Sequence, residues 1–159
     1  MYHLEPLSER HAQEICKWRY EPPYDLYQFG SWENMQSGGL EFGDPKIREE
    51  QYFAVVDQSG ELCGFAQLFP MEGLTRIGLG MRPDLCGRGM GGEFVRAVTA
   101  EAQQKTPANS IDLEVLAWNV RAYKVYERCG FQYEQSYDKM TPTGEQTFHC
   151  MVYHPELKG

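Results

Sequence analysis

Apolar and polar positions change rhythm several times along the chain, and each change marks an element. Residues 2–7 have the pattern of a short strand. Ser8 then offers a cap to a helix expected to reach about residue 20, with Ala12, Ile15, Cys16 and Arg19 near one face. Pro22-Pro23 stops it. Residues 24–44 lose all periodicity. They are rich in rings and punctuated by glycine, and are expected to form a loop with one short helix from Ser31. From residue 51 the period becomes two: a strand over 51–57, a turn over 58–61 and a strand over 62–69 make a hairpin. A third strand over 76–82 is closed by Pro83. Helical spacing returns from residue 89 to about 105, with Phe94, Val95, Val98 and Ala102 on one face. Residues 110–117 alternate through Ile111, Leu113 and Val115, a half-buried strand. Asn119 can cap a helix ending at Cys129, with Gly130 as its stop. Residues 131–138 and 147–153 form a last hairpin around Pro142-Thr143-Gly144. The order β, helices, βββ, α, β, α, ββ fits one α/β domain over residues 1–159.

Charge removes one class of function. Fifteen Lys and Arg against 23 Asp and Glu give a formal net charge of −8. That disfavours a nucleic-acid partner, which needs clustered cations, and mildly favours a cationic substrate. The five cysteines lack CxxC spacing, and their odd number argues for free thiols. No Cys or His pair has zinc-ligand spacing, so no metal is expected. No apolar stretch approaches the roughly 18 residues of a membrane span. Met1-Tyr2-His3-Leu4-Glu5 has neither the basic region nor the apolar run of a signal peptide, and a cytoplasmic location is expected.

The sharpest local feature joins the third strand of the middle sheet region to the helix at 89. It reads Met81-Arg82-Pro83-Asp84-Leu85-Cys86-Gly87-Arg88-Gly89-Met90-Gly91-Gly92. Glycines leave backbone N–H groups unshielded, the helix behind adds its positive dipole end, and Arg88 adds a full charge. Such a turn suits a pyrophosphate, and equally allows tight strand–helix packing. A P-loop would need Gly-Lys-Ser/Thr where Gly91-Gly92-Glu93 stands, and the dinucleotide fingerprint spacing is not kept.

A second pattern follows. Leu113-Glu114-Val115 precedes Asn119, then come Ala122, Tyr126, Gly130 and Phe131. With both patterns in this order the chain resembles the GCN5-related N-acetyltransferase (GNAT) superfamily. The phosphate-loop signature of that family, Gln/Arg-x-x-Gly-x-Gly/Ala, is met at Gly89 and Gly91, with Cys86 where Gln or Arg is usual. The strand–Asn–x–x–Ala–x–x–x–Tyr–x–x–x–Gly–Phe element is matched in full. The Leu113–Val115 string is locally similar to the N-terminal acetyltransferases of ribosomal proteins. The resemblance covers residues 50–153 well and the first 50 loosely.

It implies an α/β, three-layer fold: a mixed, mostly antiparallel sheet of about six or seven strands flanked by about four helices. It implies acetyl-CoA as donor, its pantetheine arm beside Leu79, Gly80 and Met81, its pyrophosphate on Gly87, Arg88, Gly89, Met90, Gly91 and Gly92, and Asn119 near the arm. A backbone N–H near Leu79–Met81 would hold the oxyanion. Tyr126 would protonate the leaving thiolate, against the alternative of a core tyrosine at helical spacing. Glu114 would be the base, against the alternative of a solvent-facing carboxylate. Tyr24, Tyr27 and Trp32, interleaved with Glu21, Asp25 and Glu33, would meet an ammonium-bearing acceptor, or pack over the sheet edge. The acceptor would be a small amine or a peptide N-terminus. A non-catalytic acyl-CoA-binding or sensory domain of the same fold is the alternative. The terminal hairpin could pair in a homodimer, and nothing in the sequence requires it.

Overall fold

The computed structural model describes residues 1–157. Seven strands and five α-helices appear among them: β1 (His3–Pro6), α1 (Glu9–Ile15), α2 (Trp32–Ser37), α3 (Pro45–Gln51), β2 (Tyr52–Val56), β3 (Leu62–Met71), β4 (Leu74–Met81), α4 (Gly91–Lys105), β5 (Ser110–Leu116), α5 (Val120–Arg128), β6 (Phe131–Thr141) and β7 (Gly144–Tyr153). The strands form one mixed sheet in the order β1-β2-β3-β4-β5-β7-β6. The β1–β2, β2–β3, β5–β7 and β7–β6 pairs are antiparallel. The β4–β5 pair is parallel, and its register joins Leu74, Thr75 and Arg76 to Ser110, Ile111 and Asp112.

The expected elements form where caps and periodicity announce them. Ser8 accepts from the His11 amide at 3.1 Å, and His11 Nδ1 accepts in return from the Ser8 amide, a reciprocal box at the start of α1. Ser31 caps α2 and Asn119 caps α5. The first helix is shorter than the pattern implies. After Ile15 the backbone tightens to three-residue turns, with the Lys17 amide on the Glu14 carbonyl and the Trp18 amide on the Ile15 carbonyl, and Arg19 Nη1 takes up the carbonyls of Cys16 and Trp18. Helix α3 has no counterpart in the sequence reading. Only Ile47 in its Pro-Lys-Ile-Arg-Glu-Glu-Gln run is apolar, so it has no periodic signal; Pro45 at its first turn and the Asp44 cap form it.

By contact density the chain divides into two compact units. The first comprises residues 1–67 and 79–90. Its core is Leu7, Ala12, Ile15, Trp18, Met35, Phe42, Tyr52, Ala54, Val56 and Leu62. The second comprises residues 68–78 and 91 onward. There α4 buries Phe94, Val95, Val98 and Ala102, and β5 buries Ile111, Leu113 and Val115.

Candidate active site

In the first unit the end of β4 leads into the glycine turn. The Arg82 amide donates to the Cys63 carbonyl at 2.8 Å, and the Phe65 ring lies directly across Gly80, so Gly80 stands opposite Phe65. Amides alternate in direction along a strand. Gly80 and Arg82 therefore turn theirs toward β3, and Leu79 and Met81 turn theirs to the other edge. On that edge the hydroxyl of half-buried Tyr20 donates to the Met81 carbonyl at 2.7 Å. Burial, with Cys86 as a lesser cause, pushes the Tyr20 phenol well above its ordinary pKa, so it stays a donor. The groups that face away from β3 besides that carbonyl are the Leu79 amide and carbonyl and the Met81 amide.

Phe65 belongs to a ring cluster with Phe29, Phe42 and Tyr52, at centroid distances of 5.5, 6.4 and 6.4 Å. A Cβ on Gly80 would meet Phe65 Cε1 at 2.3 Å, so glycine there is a packing requirement.

The turn itself is built from two kinds of glycine. Gly87 and Gly89 have φ of 74° and 79°, in the left-handed region. Space is open around Gly89, so its requirement is conformational. No backbone carbonyl among the described residues accepts from the amides of Gly87, Arg88, Gly89 or Met90. In sequence these donors directly precede α4, a helix of 15 residues. In the second unit, by contrast, a Cβ on Gly91 would touch Val125 of α5 at 3.4 Å, and one on Gly92 would crowd Arg96. Packing thus accounts for Gly91 and Gly92, and backbone conformation for Gly87 and Gly89. Cys86 Sγ lies 3.7 Å from the Met81 carbonyl and 3.6 Å from that of Arg82, a packing position.

In the second unit Asn119 is buried, and its Oδ1 accepts from the Ala122 amide at 3.2 Å, the cap of α5. Half-buried Tyr126 lies two turns on, its ring edge against Phe131 at 6.1 Å. Glu114 sits in a network drawn from three strands, β4, β5 and β6. Its Oε1 accepts from Lys139 Nζ at 2.7 Å. Its Oε2 accepts from the Tyr137 hydroxyl and lies 3.5 Å from Arg76 Nη1. Arg76 is held by both oxygens of the buried Asp112, at 3.0 and 2.9 Å. Burial alone would raise the pKa of Glu114; the bonds from Lys139 and Tyr137 and the charge of Arg76 outweigh it, and the net shift is downward. Burial, reinforced by Asp112, pushes the Cys150 thiol up to about 11, so it is no nucleophile at neutral pH.

The aromatic segment lies in the first unit. Tyr24 and Tyr27 share a 3₁₀ turn, with Tyr27 exposed. Trp32 opens α2, and the Arg48 guanidinium lies 5.6 Å from its ring centre, so one cation already rests on that ring. Tyr20, Arg76, Asp112, Tyr137 and Lys139 escape the sequence reading. The signal for part of this was present: Asp112 and Glu114, two apart on one strand face, call for cationic partners. Among the described residues no group of three or more His, Cys, Asp and Glu could hold a metal ion, and no helix is long and apolar enough to cross a membrane.

Comparison with known proteins gives the family and the fold. The family model described as Acetyltransferase (GNAT) family matches residues 12–131. Among curated proteins none matches the sequence. Solved structures match in fold. A chimera of the spermidine N-acetyltransferase SpeG from Vibrio cholerae with hSSAT superposes with a TM-score of 0.74 at 17% identity, over 98% of this chain and 96% of the other. An acetyltransferase (GNAT family) from Bacillus anthracis gives 0.73 at 14% identity, over 98% and 95%. The aminoglycoside acetyltransferase AAC(6')-Ib in complex with coenzyme A gives 0.70 at 18% identity, over 96% and 95%.

Proposed function

Because the chain belongs to the acetyltransferase (GNAT) family and is an N-acetyltransferase, we propose that it moves the acetyl group of acetyl-CoA onto a primary amine of a cationic acceptor by direct attack. The observation that carries the donor assignment is the turn at 87–90: left-handed glycines, amides without a carbonyl partner among the described residues, and a helix start behind them. That is the donor set a pyrophosphate needs. Arg88 adds charge, and Leu79 and Met81 supply the alternating edge that a pantetheine arm would pair with.

Three tasks then fall to this chain's residues. A backbone amide on the open edge of β4, at Leu79 or Met81, holds the oxyanion. Tyr126 gives a proton to the leaving thiolate. Glu114 draws the acceptor's ammonium and relays its proton outward. It cannot store that proton: an alkylammonium titrates near ~10.4 and a lowered carboxylate more than ~6 units below, a gap of about 8 kcal/mol. The proton leaves instead to bulk solvent, where the cost is set by the pH, about 4–5 kcal/mol at pH 7.

The acceptor class rests on charge. The chain carries a net −8, and Tyr24 and Tyr27 with Glu21 and Asp25 suit a cationic amine. The spermidine and aminoglycoside acetyltransferases of the same fold are named for acceptors of that class; a peptide N-terminus presents the same group. The test is a free-thiol assay for CoA release with acetyl-CoA and a panel of polyamines, aminoglycosides and peptides with free N-termini. Turnover is expected with at least one. Tyr126→Phe should lower kcat and leave acetyl-CoA binding intact; unchanged kcat removes Tyr126 from the acid role.

A further inference from the structure

The three donors around Glu114 are not equivalent. Arg76 is pinned by its two bonds to Asp112. Tyr137 is half-buried on β6. Lys139 is 46% exposed, makes one bond, and hangs on a flexible stem. Its Nζ lies 2.7 Å from Glu114 Oε1 and 5.0 Å from the centre of the Phe148 ring. A half-buried carboxylate oxygen beside an aromatic face is a receptor for an alkylammonium.

We propose that Glu114 Oε1 and the Phe148 ring form the ammonium subsite of the acceptor, and that Lys139 is its resident occupant, displaced when a cationic amine arrives. The identity of the visitor rests on the acetyltransferase reading above; the subsite itself rests on the Glu114, Phe148 and Lys139 geometry. Exchange is cheap because one ammonium replaces another. Glu114 keeps a counter-charge through the exchange, Arg76 and Tyr137 stay in place, and the released lysine regains side-chain freedom. A neutral visitor would have to break an ion pair and offer none, so the subsite selects cations. The lysine acts as a tethered competitor that sets the threshold for acceptor binding.

The experiment compares the full-length protein with Lys139→Gln, Glu114→Gln and the double variant. Lys139 lies on a largely exposed strand, so its replacement leaves the core intact. Binding of 1,4-diaminobutane is measured by calorimetry, and the acceptor and acetyl-CoA KM values by thiol release. Lys139→Gln should bind diaminobutane about three- to fivefold more tightly, the scale of an exposed ion pair. Its acceptor KM should fall by the same factor with the acetyl-CoA KM unchanged, and the double variant should lose the gain. Equal binding by wild type and Lys139→Gln, or a gain that survives Glu114→Gln, overturns the proposal. If no amine on the panel releases thiol, the acetyl-transfer reading fails on its own, while the calorimetric comparison still decides the subsite.

Discussion

Gly80→Ala is the substitution whose cost the structure sets most directly. The added methyl carbon would lie 2.3 Å from Phe65 Cε1, 2.7 Å from Cζ and 3.2 Å from Cδ1. Carbon contacts sit at about 3.5–4.0 Å, so the ring must retreat by more than about 1 Å. It has little room: Phe29 stands 5.5 Å from its centre, and Phe42 and Tyr52 6.4 Å. Phe42 and Tyr52 are themselves buried, at 0% and 2% exposure. Overpacking of this kind costs about 1–3 kcal/mol, which in a chain of this length is about 2–4 °C of Tm per kcal/mol. Urea unfolding of Gly80→Ala, Phe65→Leu and the pair measures the coupling. The double variant should be more stable than the sum of the singles predicts, by about 0.5–3 kcal/mol, because the smaller side chain vacates the space. A Gly80→Ala protein within about 0.5 kcal/mol of wild type, or strictly additive changes, would refute the assignment of Gly80 as a packing glycine against Phe65. The same variant should raise the acetyl-CoA KM, since a strained β4 no longer aims the Leu79 and Met81 amides.

The Asp112→Ala substitution should cost somewhat less than the ~3–5 kcal/mol of a fully buried pair, because Arg76 keeps 31% exposure; urea denaturation measures it. Glu114 has a folded pKa below its unfolded one, so its contribution is present above about 4.5 and is lost as pH falls through the folded value. Glu114→Gln should therefore flatten the acid limb of the stability profile, and an unchanged limb would contradict the network. Tyr20 has a raised pKa, so its bond to Met81 contributes fully below about 10 and fades as pH rises toward the folded value. Tyr20→Phe should lose about 1–3 kcal/mol at neutral pH and lose the alkaline dependence. Asn119→Ala should cost about 1 kcal/mol as a lost cap while Asn119→Ser costs little; a raised acetyl-CoA KM in both would show a separate contact with the donor.

What could be read from the sequence, and what could not, divides by the range of the interactions. The caps at Ser8, Ser31 and Asn119 and the turns at 58–61 and 142–144 depend on residues a few positions apart, and they form where the pattern places them. The glycine turn is local in the same sense, so its fitness for an anion was visible. Helix α3 gives no periodic signal because its faces are nearly all polar, and α1 stops at Ile15 where the backbone tightens to three-residue turns that no apolar spacing marks. Two features of the site were out of reach for a different reason. Which amides of β4 remain open depends on the pairing of Arg82 with Cys63, 19 residues away in sequence, and a shift of one residue would exchange Gly80 for its neighbours. The state of Glu114 depends on Arg76, Tyr137 and Lys139, which separate strands bring to it. The expectation of Glu114 as a base rests on the local similarity of Leu113–Val115 to the N-terminal acetyltransferases of ribosomal proteins. The pairing shows what the carboxylate holds at rest, an ammonium of its own chain, and so makes acceptor entry an exchange of cations.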